Sequence, residues 1–203
     1  MKIHAYKEKA RRLHGFASEQ GGYFTARQAL AAGYAPSTHA YNVKAGNWLR
    51  EHRAIYRLAA YPNPDRPDLI QWSLWSCNRK GEPEGVYSHQ TALSLRELSD
   101  INPAKIYMSV PPAFRRSGPM PRGLVLHRRL LAKEEVVQMH GFRATTPLRA
   151  IADLLAEKSV SLDHMAQAVT QAFERGLIRQ SEFERSRLPA EIKKKIEQLR
   201  GGR

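Results

Sequence analysis

The chain has 203 residues, 42% hydrophobic and 26% charged, which suits one large domain or two small ones with real cores and excludes a wholly disordered chain. Thirty-three Lys and Arg face nineteen Asp and Glu, a net charge of +14, which favours nucleic acid or an anionic surface as partner. No run approaches the ~18 apolar residues of a membrane span, the first residues lack the apolar stretch of a secretory signal, and the single cysteine, Cys77, excludes an internal disulfide or a multi-cysteine zinc site, so a soluble cytoplasmic protein is expected.

The charge is unevenly spread. Residues 1–66 hold 11 Lys and Arg against 4 Asp and Glu, and residues 67–203 hold 22 against 15, so the first third carries half the excess. A first helix is expected over about 3–19, with Tyr6, Ala10, Leu13 and Ala17 on its inner stripe and Gly21-Gly22 closing it. The second helix has a clear start: Thr25 as N-cap and Gln28 three residues on form a capping box. Ala29, Leu30 and Ala32 make its apolar face, and Gly33 stops it as a left-handed residue. Pro36 opens a third helix where a missing N–H costs nothing, with Ala40 and Val43 inward and Gly46 at its end. Trp48 to Leu58 read as two short strands with a tight turn near Arg53-Ala54. The order is helix-turn-helix followed by a β-hairpin wing.

Three prolines within 61–67 mark a stiff linker and a boundary. Beyond it a helix is expected over 67–80 (Ile70, Leu74 and Cys77 on one stripe), then one capped by Ser88 through Leu98. A strand is expected at 106–110, with further candidates at 123–128 and 136–143 around an irregular proline- and glycine-rich loop at 111–123. Thr146-Pro147 opens a helix with Leu148, Ile151, Ala152 and Leu155 inward. Ser161 caps another, with Leu162, Met165, Val169 and Phe173 inward. Ser181 and Glu184 read as a second capping box, and residues 189–203 as a basic helix or tail that frays. The fold class is α+β: a winged helix-turn-helix over 1–62, a linker at 63–67, and a mixed domain over 68–188 with a small sheet and packed helices.

The major groove of duplex DNA admits a helix. With Ala40 and Val43 inward, the outer face of helix three holds Ser37, Thr38, Tyr41, Asn42 and Lys44. Ser37 and Thr38 lie in the first turn, where free N–H groups attract phosphate; Asn42 suits adenine, and Tyr41 a phosphate or thymine methyl. His39 belongs at the core edge or on a base, the former preferred. The wing gives Arg50, Arg53 and Arg57, and helix two gives Arg27, for the phosphate backbone, with the minor groove as an alternative for Arg53. Arg115, Arg116, Arg122, Arg128 and Arg129 cluster around the irregular loop, either as a second nucleic-acid contact or as a solvated loop. Helix one offers a dimer face, while a monomer at each of two half-sites fits equally.

The lines F-T-A-R-Q-A (24–29), A-G-Y-A-P-S-T (32–38) and G-N-W-L-R with H-R-A-I-Y-R-L (46–58) resemble the N-terminal winged helix-turn-helix of AbiEi-type antitoxins. The resemblance continues through V-Y-S-H-Q-T-A-L (86–93), T-T-P-L-R-A-I-A-D-L (145–154) and A-F-E-R-G-L-I (172–178), covering about 20–180. It implies an antitoxin of a type IV toxin–antitoxin pair. Such a protein represses its own operon at DNA repeats and counters a nucleotidyltransferase-like toxin without a stable complex, through the C-terminal domain. The chain departs from the family pattern at Ala54, where glycine is usual at the wing turn, and at Glu51, where a hydrophobic residue is usual. Alanine tolerates positive φ poorly, so a wider turn or one of another type is expected. Glu51 either weakens DNA affinity or pairs with Arg53.

Two rivals are weighed. A ligand-sensing repressor would line a pocket with Trp72, Trp75 and Tyr107. A nuclease would need clustered carboxylates, and no Asp followed by a Glu-x-Lys strand is found. Asp153 and Glu157 fall on a helix, and His89, His127, His140 and His164 are scattered without metal-ligand spacing. No catalytic residue, metal or cofactor is expected.

Overall fold

The computed structural model describes residues 2–116 and 120–201, with side chains from residue 6 onward. The fold is α+β, and the chain divides into two units: the residues up to Gly85 with Gln138–Arg143, and Val86–Val137 with the residues from Ala144 on. No helix among the described residues is long and apolar enough to cross a membrane.

The first unit runs α1 (Lys2–Ser18), β1 (Tyr23–Thr25), α2 (Ala26–Ala31), a 3-10 turn (Pro36–Thr38), α3 (His39–Lys44), β2 (Trp48–His52), β3 (Ile55–Leu58) and α4 (Pro67–Trp75). The strands form an antiparallel sheet in the order β1-β3-β2, with Tyr23 opposite Arg57 and Trp48 opposite Leu58. Its core is aromatic. Trp48 lies edge-on to Phe24 and Tyr34, each at 5.0 Å, and also meets His39 and Tyr56. Leu13, Ala17, Ala29 and Ala32 complete the cluster. The wing strand thereby ties α1, α2 and α3 into one body.

The expected capping box is present. Thr25 Oγ1 accepts from Gln28 N at 3.2 Å, and Gln28 Oε1 accepts from Thr25 N at 2.8 Å. Thr25→Ala is therefore expected to cost about 1 kcal/mol in urea denaturation; an unchanged midpoint would show that the adjoining strand holds the helix start without the cap. Gly22 has φ +88°, and a Cβ there would meet the Tyr61 ring at 2.6 Å, so only glycine fits.

Three helix-face expectations need correction. Tyr6 and Leu30 point outward, 58% and 54% exposed, while Leu13, Ala17, Ala29 and Ala32 are buried as expected. Ala40 is exposed and Asn42 turns inward in its place, beside His39 and Val43, which face inward as expected. The cause is the 3-10 turn at Pro36–Thr38. It advances three residues per turn rather than 3.6, so the α-helical phase starts afresh at His39. The wing turn is not widened: Ala54 itself takes φ +61°.

The proline-rich stretch does not separate α4 from the winged unit. Pro67 opens α4 as its first residue, Leu69 and Ile70 are buried, and Gln71 Nε2 donates to the Tyr23 hydroxyl at 3.2 Å. The contact boundary lies after Gly85. Helix α4 also ends at Trp75, short of Lys80.

The second unit contains β4 (Val86–Tyr87), α5 (His89–Ser94), β5 (Ile106–Val110), β6 (Leu124–Arg128), α6 (Pro147–Glu157), α7 (Leu162–Glu174), α8 (Gln180–Arg185) and α9 (Ala190–Gly201), with β7 (Val136–Gln138) and β8 (Arg143–Thr145) save their end residues Gln138 and Arg143. The mixed sheet has the order β6-β5-β4-β8-β7, with β5 parallel to β6 and antiparallel to β4. Residues 136–143, read as one strand, are a strand and the turn after it. Part of the expected irregular loop, 117–119, lies outside the described residues.

Helices α5, α6, α7 and α9 share an apolar core of Leu93, Leu98, Ile151, Leu154, Met165, Val169 and Ile196. Thr146 and Ser161 cap α6 and α7 as expected, accepting from Arg149 N and His164 N. Leu162 is outward, 57% exposed. The second capping box is absent: α8 has Arg179 at its N-cap position without a side-chain bond, and Glu184 accepts from Gln180. The basic C-terminal segment does not fray up to Gly201, because Ile196 is fully buried and anchors α9.

Candidate nucleic-acid interface

Helix α3 and the wing present the surface expected to meet DNA. Ser37, Thr38, Tyr41 and Lys44 are exposed on the 3-10 turn and α3, Tyr41 by 70%. Thr38 Oγ1 donates to Ala35 O at 2.7 Å, and Thr38 N donates to the same carbonyl at 2.9 Å, so the hydroxyl and N–H of Thr38 are used within the turn. Arg50 and Arg53 are exposed on the wing. Among the described residues, Lys44, Arg50 and Arg53 make no hydrogen bond or ion pair with another side chain.

Three residues expected at this surface are otherwise engaged. Asn42 is 6% exposed; its Nδ2 donates to Thr38 O at 2.9 Å and its Oδ1 accepts from Asn47 Nδ2 at 3.2 Å. It closes the end of α3 and cannot reach a base edge. Arg57 pairs with Glu51 at 3.1 Å and donates to Tyr61 O at 3.0 Å, its side chain only 11% exposed. Glu51 thus pairs with Arg57, not Arg53, because both side chains lie on the same face of the β2–β3 ladder. Arg27 is exposed but donates to Arg79 O. His39 is buried against Trp48 and Tyr56 at the core edge, as preferred.

Sequence reasoning missed the neighbours of α3. Tyr6, Lys9, Tyr34, Thr38, Tyr41 and Asn47 line a groove of about 430 Å³ beside it. Lys9 and Tyr6 sit one turn apart on α1, so the α1 stripe read as core supplies part of the outer surface.

The loop arginines separate into two groups. Arg115, Arg116 and Arg122 are exposed. Arg128 Nη1 donates to Pro112 O and Phe114 O at 3.0 and 2.8 Å and so braces the loop. Arg129 turns inward to Asp153. These last two are structural, and the arginine cluster is smaller than the sequence implied. Of the aromatics named for a ligand pocket, Trp72 and Trp75 are half-buried on α4, Trp72 against His52 at 4.7 Å. Tyr107 is in the second unit, beside His127.

The second unit holds a polar strip between β6 and α6. Arg149, Asp153 and Glu157 recur every four residues on α6, one face of a helix. Arg129 and Arg149 both donate to Asp153 Oδ1, and Arg149 also meets Glu135 at 3.2 Å. Burial opposes the Arg149 charge, but Asp153 and Glu135 outweigh it and hold its pKa above the usual value. Further along, Glu157 Oε1 lies 3.1 Å from both His89 Nε2 and His127 Nδ1. The two imidazoles stack at 3.7 Å with 20° between their planes. Ser88, expected to cap α5, makes no cap bond; its hydroxyl lies 2.8 Å from His89 Nδ1 and accepts from Ser109 Oγ at 2.9 Å. Burial, then the adjacent His127, lowers the His89 pKa to about 4, so its ring is neutral near pH 7. The histidines read as scattered are brought together because β5 sets β6 beside the start of α5.

No family model and no curated protein matches the chain. Among solved structures it resembles the crystal structure of the Rv2827c protein from Mycobacterium tuberculosis, with a TM-score of 0.53 and 14% identity, covering 95% of this chain and 76% of that one. At that identity the likeness concerns the fold.

Proposed function

We propose that the chain is a sequence-specific DNA-binding protein that represses its own operon. The reading rests on three uncompensated cations, Lys44, Arg50 and Arg53, placed with exposed Ser37 and Tyr41 along consecutive parts of a winged helix-turn-helix. Phosphate contacts from such cations position the protein, and polar side chains on α3 read base edges. With Asn42 withdrawn, Ser37 and Tyr41 carry the base contacts. Binding to the chain's own upstream DNA is expected to weaken steeply with salt and to exceed binding to scrambled DNA of equal length. Equal affinity for both in an electrophoretic shift assay would remove sequence-specific repression.

The antitoxin role draws support from the motifs at 86–93, 145–154 and 172–178, which resemble AbiEi-type antitoxins. In that role the second unit counters a nucleotidyltransferase-like toxin without a stable complex. Growth rescue in co-expression with the adjacent gene tests it, and no rescue would leave a repressor alone.

A further inference from the structure

We propose that His89, His127 and Glu157 form a binding site for a divalent transition metal of the zinc class in the second unit. The donors are the two imidazole nitrogens His89 Nε2 and His127 Nδ1 and the Glu157 carboxylate, and all lie within 4.8 Å of one another. Three donors placed ~2.1 Å from one tetrahedral ion are themselves roughly 3–3.5 Å apart. Two of the three separations are already 3.1 Å. The ion takes the place now filled by the convergence of both rings on Glu157 Oε1; binding turns the carboxylate aside at the exposed end of α6 and tilts the stacked rings, 20° apart, toward a common centre.

The donor set has the right chemistry. Imidazole and carboxylate together suit zinc, cobalt or iron(II) rather than calcium or magnesium, which take oxygen alone. Three protein ligands leave a position for solvent, as in sites that are not closed structural centres. Glu157 is 40% exposed and the His127 side chain 22%, so the ion has a way in, while His89 at 2% forms the floor.

The surroundings orient the ligands. A metal-bound histidine usually donates its other N–H to a neighbouring oxygen. His89 Nδ1 has Ser88 Oγ at 2.8 Å for that purpose, with Ser109 Oγ behind it. A hydroxyl oxygen accepts more than one hydrogen bond, so Ser88 Oγ, which accepts from Ser109 Oγ, is also placed to accept from His89 Nδ1–H. His127 Nδ1 faces Glu157 Oε1 at 3.1 Å, while its Nε2 is buried with no partner among the described residues, so the ion takes the place of the Nδ1 proton that the carboxylate accepts. The backbone is bent to the same end. His89 holds φ +53°, a conformation uncommon for a residue with a Cβ, directly after extended Ser88. That bend aims the ring at β6 instead of along α5.

The test uses the full chain, stripped with chelator and titrated with Zn²⁺ by calorimetry and with Co²⁺ by visible absorption. One equivalent per chain is expected, with a four- or five-coordinate cobalt spectrum. Loss of an outer-sphere partner costs roughly 10–100-fold in affinity, so loss of a ligand in Glu157→Gln or His127→Gln is expected to cost at least as much. His164→Ala, an exposed histidine outside the cluster, should bind as the parent does. Glu157→Gln keeps the helix and its exposed end, so circular dichroism separates lost binding from lost folding should His127→Gln unfold. No stoichiometric binding by the parent, or binding unchanged in a folded Glu157→Gln, overturns the site.

Discussion

Replacing Lys44, Arg50 and Arg53 together by alanine is expected to lower affinity for the chain's own upstream DNA by roughly a hundredfold at physiological salt. Each phosphate contact contributes about 0.9 to the slope of log K against log salt, so the slope should flatten by roughly 2.7. Fluorescence anisotropy at several salt concentrations reads both quantities. All three side chains are exposed and partnerless among the described residues, so thermal stability should barely change. Arg57→Ala removes the same unit of charge from the same hairpin and serves as the contrast. Its guanidinium is held by Glu51 and Tyr61 O, so its loss should appear in stability and leave the salt slope nearly intact. A triple variant with the parental slope would show that the wing and α3 do not meet phosphate.

The winged unit was legible because its signals are local. Thr25 and Gln28 lie one turn apart, Gly33 and Gly46 need positive φ, and the wing alternates over a few residues. What was misread depended on phase. Taking Ala40 and Val43 as the inner positions puts Asn42 outside, but the chain holds Pro36–Thr38 in a tighter turn, and the helical phase restarts at His39. His39, Asn42 and Val43 then fall at helical spacings of three and four on the inner face. Ala54 misled differently. Its Cβ argues against the left-handed region by about 1–2 kcal/mol, yet the β1–β3–β2 sheet fixes the hairpin firmly enough to hold it there. The polar strip was out of reach for another reason. His89 and His127 stand 38 residues apart, and only the strand order β6-β5-β4 brings them together. Ser88 before a helical run reads as an N-cap, but its hydroxyl is taken by the neighbouring imidazole, a competition no spacing rule records.

Asp153→Ala is expected to destabilise the protein by about 3–5 kcal/mol, because removing one partner of a buried ion pair strands the others. Asp153 is 2% exposed and receives both Arg129 and Arg149 on one oxygen. Without it, two guanidiniums face each other across β6 and α6 with only Glu135 to offset them. The network is also incompletely satisfied: Asp153 Oδ2, Arg129 Nε and Arg149 Nε are buried without partners. Charges kept in this condition are weak evidence for stability as such, since apolar replacement of a whole buried cluster is often neutral or stabilising. The two experiments therefore diverge. Asp153→Ala alone should shift the urea midpoint sharply, while Asp153→Leu combined with Arg129→Met and Arg149→Met should recover much of the loss. Recovery would mean the strip is retained for something other than folding, consistent with its continuity with Glu157 on the same helix face. A single variant within about 1 kcal/mol of the parent would instead show that solvent reaches these guanidiniums and that the strip is not a buried ion network.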